Sequence, residues 1–476
     1  MHPLLLESIT SGKQSTPADL IRLYNESKYR KLDNLDYFPR QPKFPSKPHH
    51  APINSLSLDS QSNRYLLSGA GDASVKLYDL EQQFLSNDTG ASTAAASSQE
   101  QRKPSNKKRI YEPLVSIPPK TIHKFGITHL KWWPDNGMWL SSSYDYTLNV
   151  NDATTMQPVH SFKMGSRVIN FDFDPSGANT TVACCMDGGI GGIKLADLRT
   201  LSETQTLGGG GKVQGGFGYM MSCCWSPTNP YFVVGGGVDG YGIGWDIRAS
   251  NGVLFKLDSN IATTNHMLDE KKLMFSNEIP KAHNGFINGM MFNEIGTELF
   301  TLGSDDKIRV WDLTTSDRPL NKSINFGPLV RNKSRQHITM SLSPLNETDV
   351  QYLWFPSDTG EILVFRANDG KLLARLNKHG ERLNKRTTSI VYSKNSSLRY
   401  YSGCLDGSLT TWGYSHYETE SQMTPVNFDN GVDYDKDEED KDEQDANQPV
   451  QNVLDRISEE MGEGRALTNF QKPSKY

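Results

Sequence analysis

The 476-residue chain has no run of about 20 apolar residues, so no segment of it reads as a membrane-spanning helix. Cysteine is scarce: only Cys184-Cys185, Cys223-Cys224 and Cys404 occur. None belongs to a C-x-x-C pair, and no paired histidine accompanies them, so no metal site is expected. An odd cysteine count points to reduced thiols. Leu4-Leu5-Leu6 is not followed by a sustained apolar core or a small-residue cleavage site, so a secretory leader is not expected. The sequons at Asn179, Asn332 and Asn346 then carry no meaning as glycan acceptors. A strong charge of one sign is also missing. The net charge of −5 does not suit a general nucleic-acid binder. No nucleophile elbow, H-E-x-x-H or kinase motif set appears, and neither catalysis nor a cofactor is expected.

What the chain does have is glycine, 40 copies, and 10% aromatics, which fits a turn-rich all-β protein. The stretch His283 to Asp312 shows the unit. Three short apolar runs alternate with polar turns, as three strands would. Thr301 stands ten before Trp311, Asp305 six before it, and His283 opens the unit. Buried together, these groups form a relay: indole N–H to hydroxyl, hydroxyl to imidazole, imidazole to carboxylate. Each would cost roughly 1–3 kcal/mol if left unpaired, so the four types require one another.

The spacing recurs. Ser402, Asp406 and Trp412 repeat it, with His379 upstream. Ser68, Asp72 and Tyr78-Asp79 repeat it with His49. Ser141, Asp145 and Asn151-Asp152 repeat it with His123. Asp239 and Trp245-Asp246 form a copy without the histidine. Two degraded copies run from Ile169 to Asp197 and from His337 to Phe365. That makes seven units. The span His49 to Trp412, less apparent insertions at 82–119 and 251–280, gives about 42 residues per unit, inside the roughly 40–45 of a propeller blade. The expected fold is all-β, a seven-bladed WD-repeat β-propeller preceded by a short N-terminal helix-loop-helix. The His and Asp recur too often to be an active site. Asp306, beside Asp305, reads as an exposed turn residue.

Around the propeller the chain divides as follows. Residues 1–32 read as the helix-loop-helix: Leu5, Leu6 and Ile9 form one apolar face. Thr16-Pro17-Ala18-Asp19 then starts a helix carrying Leu20, Leu23 and Tyr24. Residues 33–48 are a Pro-rich linker and a possible closing strand for the last blade. The propeller occupies 49–415, with a disordered Ser/Ala-rich insertion at 84–108 and a loop at 251–280. The basic cluster from Arg102 to Arg109 reads as a nuclear import signal or as a solvated loop. Residues 416–476 form an acidic, mostly disordered tail. The glycine-rich run from Gly208 to Gly218 lacks a following helix with Lys-Ser/Thr and reads as a connector, not a phosphate loop.

Several less generic pieces carry a family resemblance. They are Ile53-Asn54-Ser55-Leu56 with Arg64 to Gly69 and Leu77 to Leu80; Trp133 to Met138 leading to Ser141-Ser142-Ser143-Tyr144-Asp145; Ser222 to Pro227; Lys281 to Gly285; and Asn325-Phe326-Gly327 with Asn332-Lys333-Ser334. Across about residues 1–415 the chain resembles the Cockayne syndrome A family, the WD-repeat substrate receptors of cullin-RING ubiquitin ligases in transcription-coupled repair. Low complexity in the insertion and tail resembles a fungal ortholog. The resemblance implies a nuclear, non-enzymatic scaffold whose partners are the triple-propeller adaptor, other ligase subunits and RNA polymerase II-associated repair factors. A third reading, direct DNA-lesion binding, would want a basic, aromatic-rich face, and the charge balance argues against it; no direct sequence-specific nucleic-acid contact and no membrane are expected. The adaptor would be engaged by Leu5, Leu6, Ile9, Leu20, Leu23 and Tyr24, and by the Trp-Asp-x-Arg motif Trp245, Asp246 and Arg248, with Arg199 from the weaker copy Leu195 to Arg199. Arg248 offers a planar charged fork, or it simply caps its strand. The alternative is a WD-repeat scaffold in repair or chromatin without a ligase.

Overall fold

Four consecutive short strands, each joined to the next by a polar turn, can bury their apolar faces only by packing sheet on sheet. In a computed structural model of the chain they do so seven times, forming a seven-bladed β-propeller. The structure describes residues 28–29, 32–37, 48–81, 84–85, 109–188, 191–208, 218–249, 252–261, 280–314, 318–345, 350–376, 386–393 and 399–414. Of the expected N-terminal helices only Lys28-Tyr29 is described, as helix. Leu5, Leu6, Ile9, Leu20, Leu23, Tyr24 and the tail lie outside the described residues.

The innermost strands of blades 1 to 7 are Ile53–Leu58, Ile127–Trp132, Arg167–Phe173, Met220–Trp225, Ile287–Phe292, Ser341–Leu342 and Thr387–Ser393. They surround a central channel. Each blade then runs outward antiparallel, so the second-to-third-strand turns all lie on one face, here the upper. The turns after the first and third strands lie on the lower. Blade 7 takes its outer strand from the N-terminal side: Leu32–Tyr37 pairs antiparallel with Leu409–Tyr414, Leu32 opposite Tyr414. That pairing ties first and last blades together and leaves no open ring edge.

Two corrections concern the insertions. The outer strand of blade 1, Pro113–Ile117, lies inside 82–119. That of blade 4, Val253–Lys256, lies inside the expected loop 251–280. Both are short, and the first follows a low-complexity insertion, so neither shows a clear strand period. At the base of the 84–108 insertion, Phe84–Leu85 pairs with Arg109–Ile110, which extends the blade 7 sheet outward.

Core side chains alternate between the two faces of each blade. The cysteine doublets show this: Cys184 packs with Phe171 and Leu148 toward blade 2, while Cys185 packs with Trp245 and Ile193 toward blade 4. The innermost strands carry a second pattern. Six of the seven have a bulge near their upper end, as between Ile53 and Ser55 or Ile127 and His129. A bulge re-aims one side chain. Here it aims polar groups at the next blade's backbone: Asn54 Nδ2 donates to Ile127 O at 2.6 Å and Thr128 Oγ1 to Val168 O at 2.7 Å. Ser222 Oγ donates to Ile287 O at 3.0 Å, and Thr388 Oγ1 to Ile53 O closes the ring.

Between blades 5 and 6 a longer device does this work. Residues 331–338 cross the upper end of the channel before blade 6 begins. Asn332 and Asn288 exchange amide hydrogen bonds at 2.7 and 2.9 Å, and Asn332 Nδ2 also donates to Gly303 O. Gln336 Nε2 reaches Asn54 Oδ1 of blade 1 at 2.7 Å, and the His337 ring lies 5.4 Å from that of His129 in blade 2. The channel is thus plugged above. Below, it opens as a cavity of about 800 Å³ lined from all seven blades.

Candidate functional site

The relay of blade 5 is assembled as its spacing implied. Trp311 Nε1 donates to Thr301 Oγ1 at 2.9 Å, Thr301 Oγ1 meets His283 Nε2 at 2.8 Å, and His283 Nδ1 meets Asp305 Oδ1 at 2.9 Å. Arg309 adds a donor to Asp305 at 2.9 Å. Burial holds the His283 pKa below its ordinary value against the pull of Asp305. Burial raises Asp305, but His283 and Arg309 outweigh it, and its carboxyl titrates well below the usual range. The constellation looks like a hydrolytic triad and is not one. Thr301 is fully buried, and its oxygen already takes the indole N–H, so no substrate atom can reach it.

The sibling blades vary the parts. In blade 2, His123 joins Ser141 at 2.8 Å and Asp145 at 3.1 Å, and Asn151 supplies the donor that tryptophan supplies elsewhere, at 3.0 Å. Burial raises the Asp145 pKa, yet its hydrogen bonds with His123 and Thr147 prevail and bring it to about 2. In blade 1 the histidine is held differently from expectation. His49 meets Ser68 at 2.7 Å on one nitrogen and Ser74, not Asp72, at 2.7 Å on the other; Ser74 then donates to Asp72 at 2.5 Å. Burial first, then Lys76, pushes the His49 pKa down to about 3. In blade 7, Trp412 donates to Ser402 at 2.8 Å, and Asp406 caps Ser408 in the turn; His379 lies outside the described residues. In blade 4 the relay is missing at its tryptophan end. The position ten before Trp245 is Gly235, and the buried indole N–H has no hydrogen-bond partner among the described residues.

A further correction concerns the upper face. Asp306, expected to be merely exposed, accepts the Asn332 backbone N–H at 2.7 Å and faces Lys333 Nζ at 3.1 Å. It anchors the start of the channel plug. A carboxylate in a turn gives no sequence sign of a partner 26 residues away.

The residues expected to contact an adaptor separate into two sets. Trp245 is 1% exposed and packed in the core between blades 3 and 4, so it cannot touch a partner; this corrects its assignment. Arg248 lies in the open on the lower face. Its Nε and Nη2 bind the Asp246 carboxylate at 3.0 and 2.6 Å, and its guanidinium sits 4.5 Å from the centre of the Tyr231 ring. One edge of the fork is therefore already used, which leaves the Nη1 edge and the outer face of the stack. Arg199 is exposed at the same turn of blade 3, where Asp197 Oδ1 accepts its backbone N–H at 2.9 Å. Leu201, Tyr231, Leu254 and Ile295 are exposed apolar residues of the lower face of blades 3 to 5. Apolar groups flanked by arginine are the composition of protein-binding surfaces. Sequence did not point to Tyr231, because Arg248, which stacks on it, stands 17 residues away in the chain.

No helix of the described residues is long and apolar enough to cross a membrane. No group of three or more His, Cys, Asp or Glu among them is placed to hold a metal.

The WD domain, G-beta repeat family model matches residues 42–79. The chain is 26% identical over 269 residues to Radiation-sensitive protein 28 of Saccharomyces cerevisiae, covering 53% of this chain and 51% of that protein. It is 25% identical over 424 residues to WD repeat-containing protein ATCSA-1 of Arabidopsis thaliana, covering 77% of this chain and 86% of the relative. It is 26% identical over 203 residues to a guanine nucleotide-binding protein subunit beta of Zea mays, covering 41% and 46%. The match thus spans about half the length of the yeast relative and most of the Arabidopsis one. Seven four-stranded blades, several of them fastened by these relays, make the chain a WD-repeat β-propeller protein, a fold that generally serves as a non-enzymatic scaffold. Within that class it is similar to WD-repeat proteins of the Cockayne syndrome A kind, its relatives including Radiation-sensitive protein 28 and ATCSA-1.

Proposed function

We propose that this chain is a nuclear DNA-repair scaffold: the substrate-recognition subunit of a cullin-4-type RING ubiquitin ligase, acting in transcription-coupled nucleotide-excision repair at stalled RNA polymerase II. Arg248 on the lower face carries the reading. Its cation is stacked on Tyr231 and oriented by Asp246, on a face that also exposes leucine and isoleucine. A guanidinium so held has lost part of its conformational freedom before a partner arrives, which favours binding. The triple-propeller adaptor would sit on this face, assisted by residues 1–32 and by Arg199. The opposite face would meet the target, and other subunits would transfer ubiquitin. Likeness to Radiation-sensitive protein 28 and ATCSA-1 supports the repair setting.

The test is purification of the tagged full chain from nuclear extract. Adaptor and cullin are expected to co-purify and to be lost on deletion of residues 1–32 or on Arg248→Ala. Stable association with polymerase in the absence of any ligase subunit would replace this reading with that of a repair or chromatin scaffold without a ligase.

A further inference from the structure

Blade 2 differs from its siblings at its upper end. In six blades the turn between the second and third strands holds a left-handed residue at its third position. In blades 4, 6 and 7 that residue is Gly240, Gly360 and Gly407, with φ of 87°, 87° and 81°. Glycine enters this region freely, whereas a residue with a Cβ does so at a cost. A side chain kept there should do something that glycine cannot. Ala73 of blade 1, φ 67°, is buried, and Asp306 of blade 5, φ 59°, anchors the channel plug. Tyr146 of blade 2, φ 68°, does neither and is 49% exposed.

Two more exposed aromatics stand beside it. Tyr144 opens the same turn, and Phe125 lies in the loop that enters the first strand, at 40% and 62% exposure. In blades 1 and 5 the equivalent places hold Ala51, Gly71 and Ala73, and Gly285, Ser304 and Asp306. Hydrogen bonds join the loop to the turn. Ser143 Oγ donates to Phe125 O at 2.9 Å, Tyr144 N to Gly126 O at 3.4 Å, and Lys124 N to Asp145 Oδ2 at 2.9 Å. All three rings therefore belong to one blade end. Tyr144 also lies close enough to Asp187 and Arg167 of blade 3 to feel both charges.

Charge is divided unevenly here. Lys120, Lys124, Lys163 and Arg167 are exposed. The carboxylates are mostly engaged: Asp145 meets His123 and Thr147, and Asp72 of the adjacent blade 1 turn accepts the Ser74 backbone N–H. Among the described residues of this end, only Asp187 is an exposed carboxylate, and it faces Arg167 at 4.0 Å.

We propose that the upper end of blade 2 is a docking site for a short acidic segment of a partner protein that also carries a large apolar side chain. Exposed aromatic rings supply apolar contact with little side-chain freedom to lose, as the anchors of protein interfaces do. The four cations select the sign of the flanking charges. A nucleic acid fits less well, because its backbone needs a track of cations and the chain as a whole carries −5. The site is on the opposite face from Arg248 and does not depend on the ligase reading.

The experiment uses the full chain. A displayed library of linear peptides is selected against it, and the affinity of the recovered peptides is compared across two variants. Acidic peptides with a large apolar residue are expected, bound more weakly as salt rises. Tyr146→Gly removes a ring and relieves the backbone, so it should weaken binding about tenfold or more while the protein melts no lower than before. Lys124→Glu should cost a similar factor without touching the rings. Recovery of the adaptor through Arg248 should be unchanged in both, so failure here leaves that reading standing. Selection of no acidic peptides, or of peptides that bind both variants unchanged, would overturn the proposal. So would a Tyr146→Gly protein that melts clearly lower, since the ring would then serve the fold. A mixed-sequence single-stranded oligonucleotide is the counter-probe: tighter binding of it than of any selected peptide, lost in the same variants, would make this a nucleic-acid site and overturn the proposal as well.

Discussion

Blades 4 and 5 are neighbours that close on the same Trp-Asp pair, yet they are fastened by different means. In blade 5 the Trp311 indole ends in a relay through Thr301 and His283 to Asp305. In blade 4 the relay is gone. A Cβ on Gly235 would lie 2.9 Å from Trp245 Cζ3 and 2.6 Å from Ile193 Cδ1, so the indole itself occupies the space a hydroxyl would need. Packing has replaced hydrogen bonding. The turns after the two pairs differ as well. Asp312 and Asp246 both cap the backbone N–H two residues on, at Thr314 and Arg248, but Asp246 also binds the exposed Arg248 guanidinium. The comparison teaches that the relay is a fastener, dispensable where side chains interlock, and that the residues after the pair can be used for something else.

The largest effect is expected where the relay is intact. Asp305→Ala leaves the buried His283 and the Arg309 guanidinium without their acceptor, and should destabilise the protein by about 2–3 kcal/mol in chemical denaturation. Gly235→Ser tests the other blade. If packing replaced the relay, adding a side chain there overpacks the core and destabilises by roughly 1–3 kcal/mol. A stabilised variant would show that the relay can be restored and would undo the contrast.

Acid should act more gradually. His49 and His337, the latter held to about 4 by burial, are both kept neutral in the fold below the ordinary histidine value of about 6.5. The unfolded chain binds protons there and the folded one does not. Stability is therefore present above pH about 6.5 and is lost as pH falls toward 4 and then 3. Each such histidine contributes up to about 1.4 kcal/mol per pH unit in that window. Melting temperature measured from pH 7 to 4 should fall steadily, and less steeply in His49→Gln. The smallest effect on stability is expected for Arg248→Ala: unfolding should be unchanged while adaptor recovery drops.

Much of the fastening system was legible because it is local and periodic. The offset of ten places Thr301 with Trp311 and Ser402 with Trp412 from the sequence alone. Seven blades followed from repetition. What escaped was non-local or masked by composition. Ser74 stands between His49 and Asp72, and in sequence it is an ordinary turn serine. The Asn288–Asn332 pair joins residues 44 apart, and no spacing rule links two such asparagines. Val253–Lys256 is too short to show a strand period beside its loop. Trp245 was grouped with Arg248 because both belong to one motif, but strand alternation sends the indole inward and the arginine follows in a turn. A motif shared by neighbours in sequence does not imply a shared surface.

The central claim is that the relay holds the fold and the lower face holds the partner. Its most direct test is adaptor recovery by Asp305→Ala at a temperature well below that variant's own melting point. Undiminished recovery from a protein that melts earlier is expected. Loss of the adaptor from a fully folded Asp305→Ala protein would contradict it.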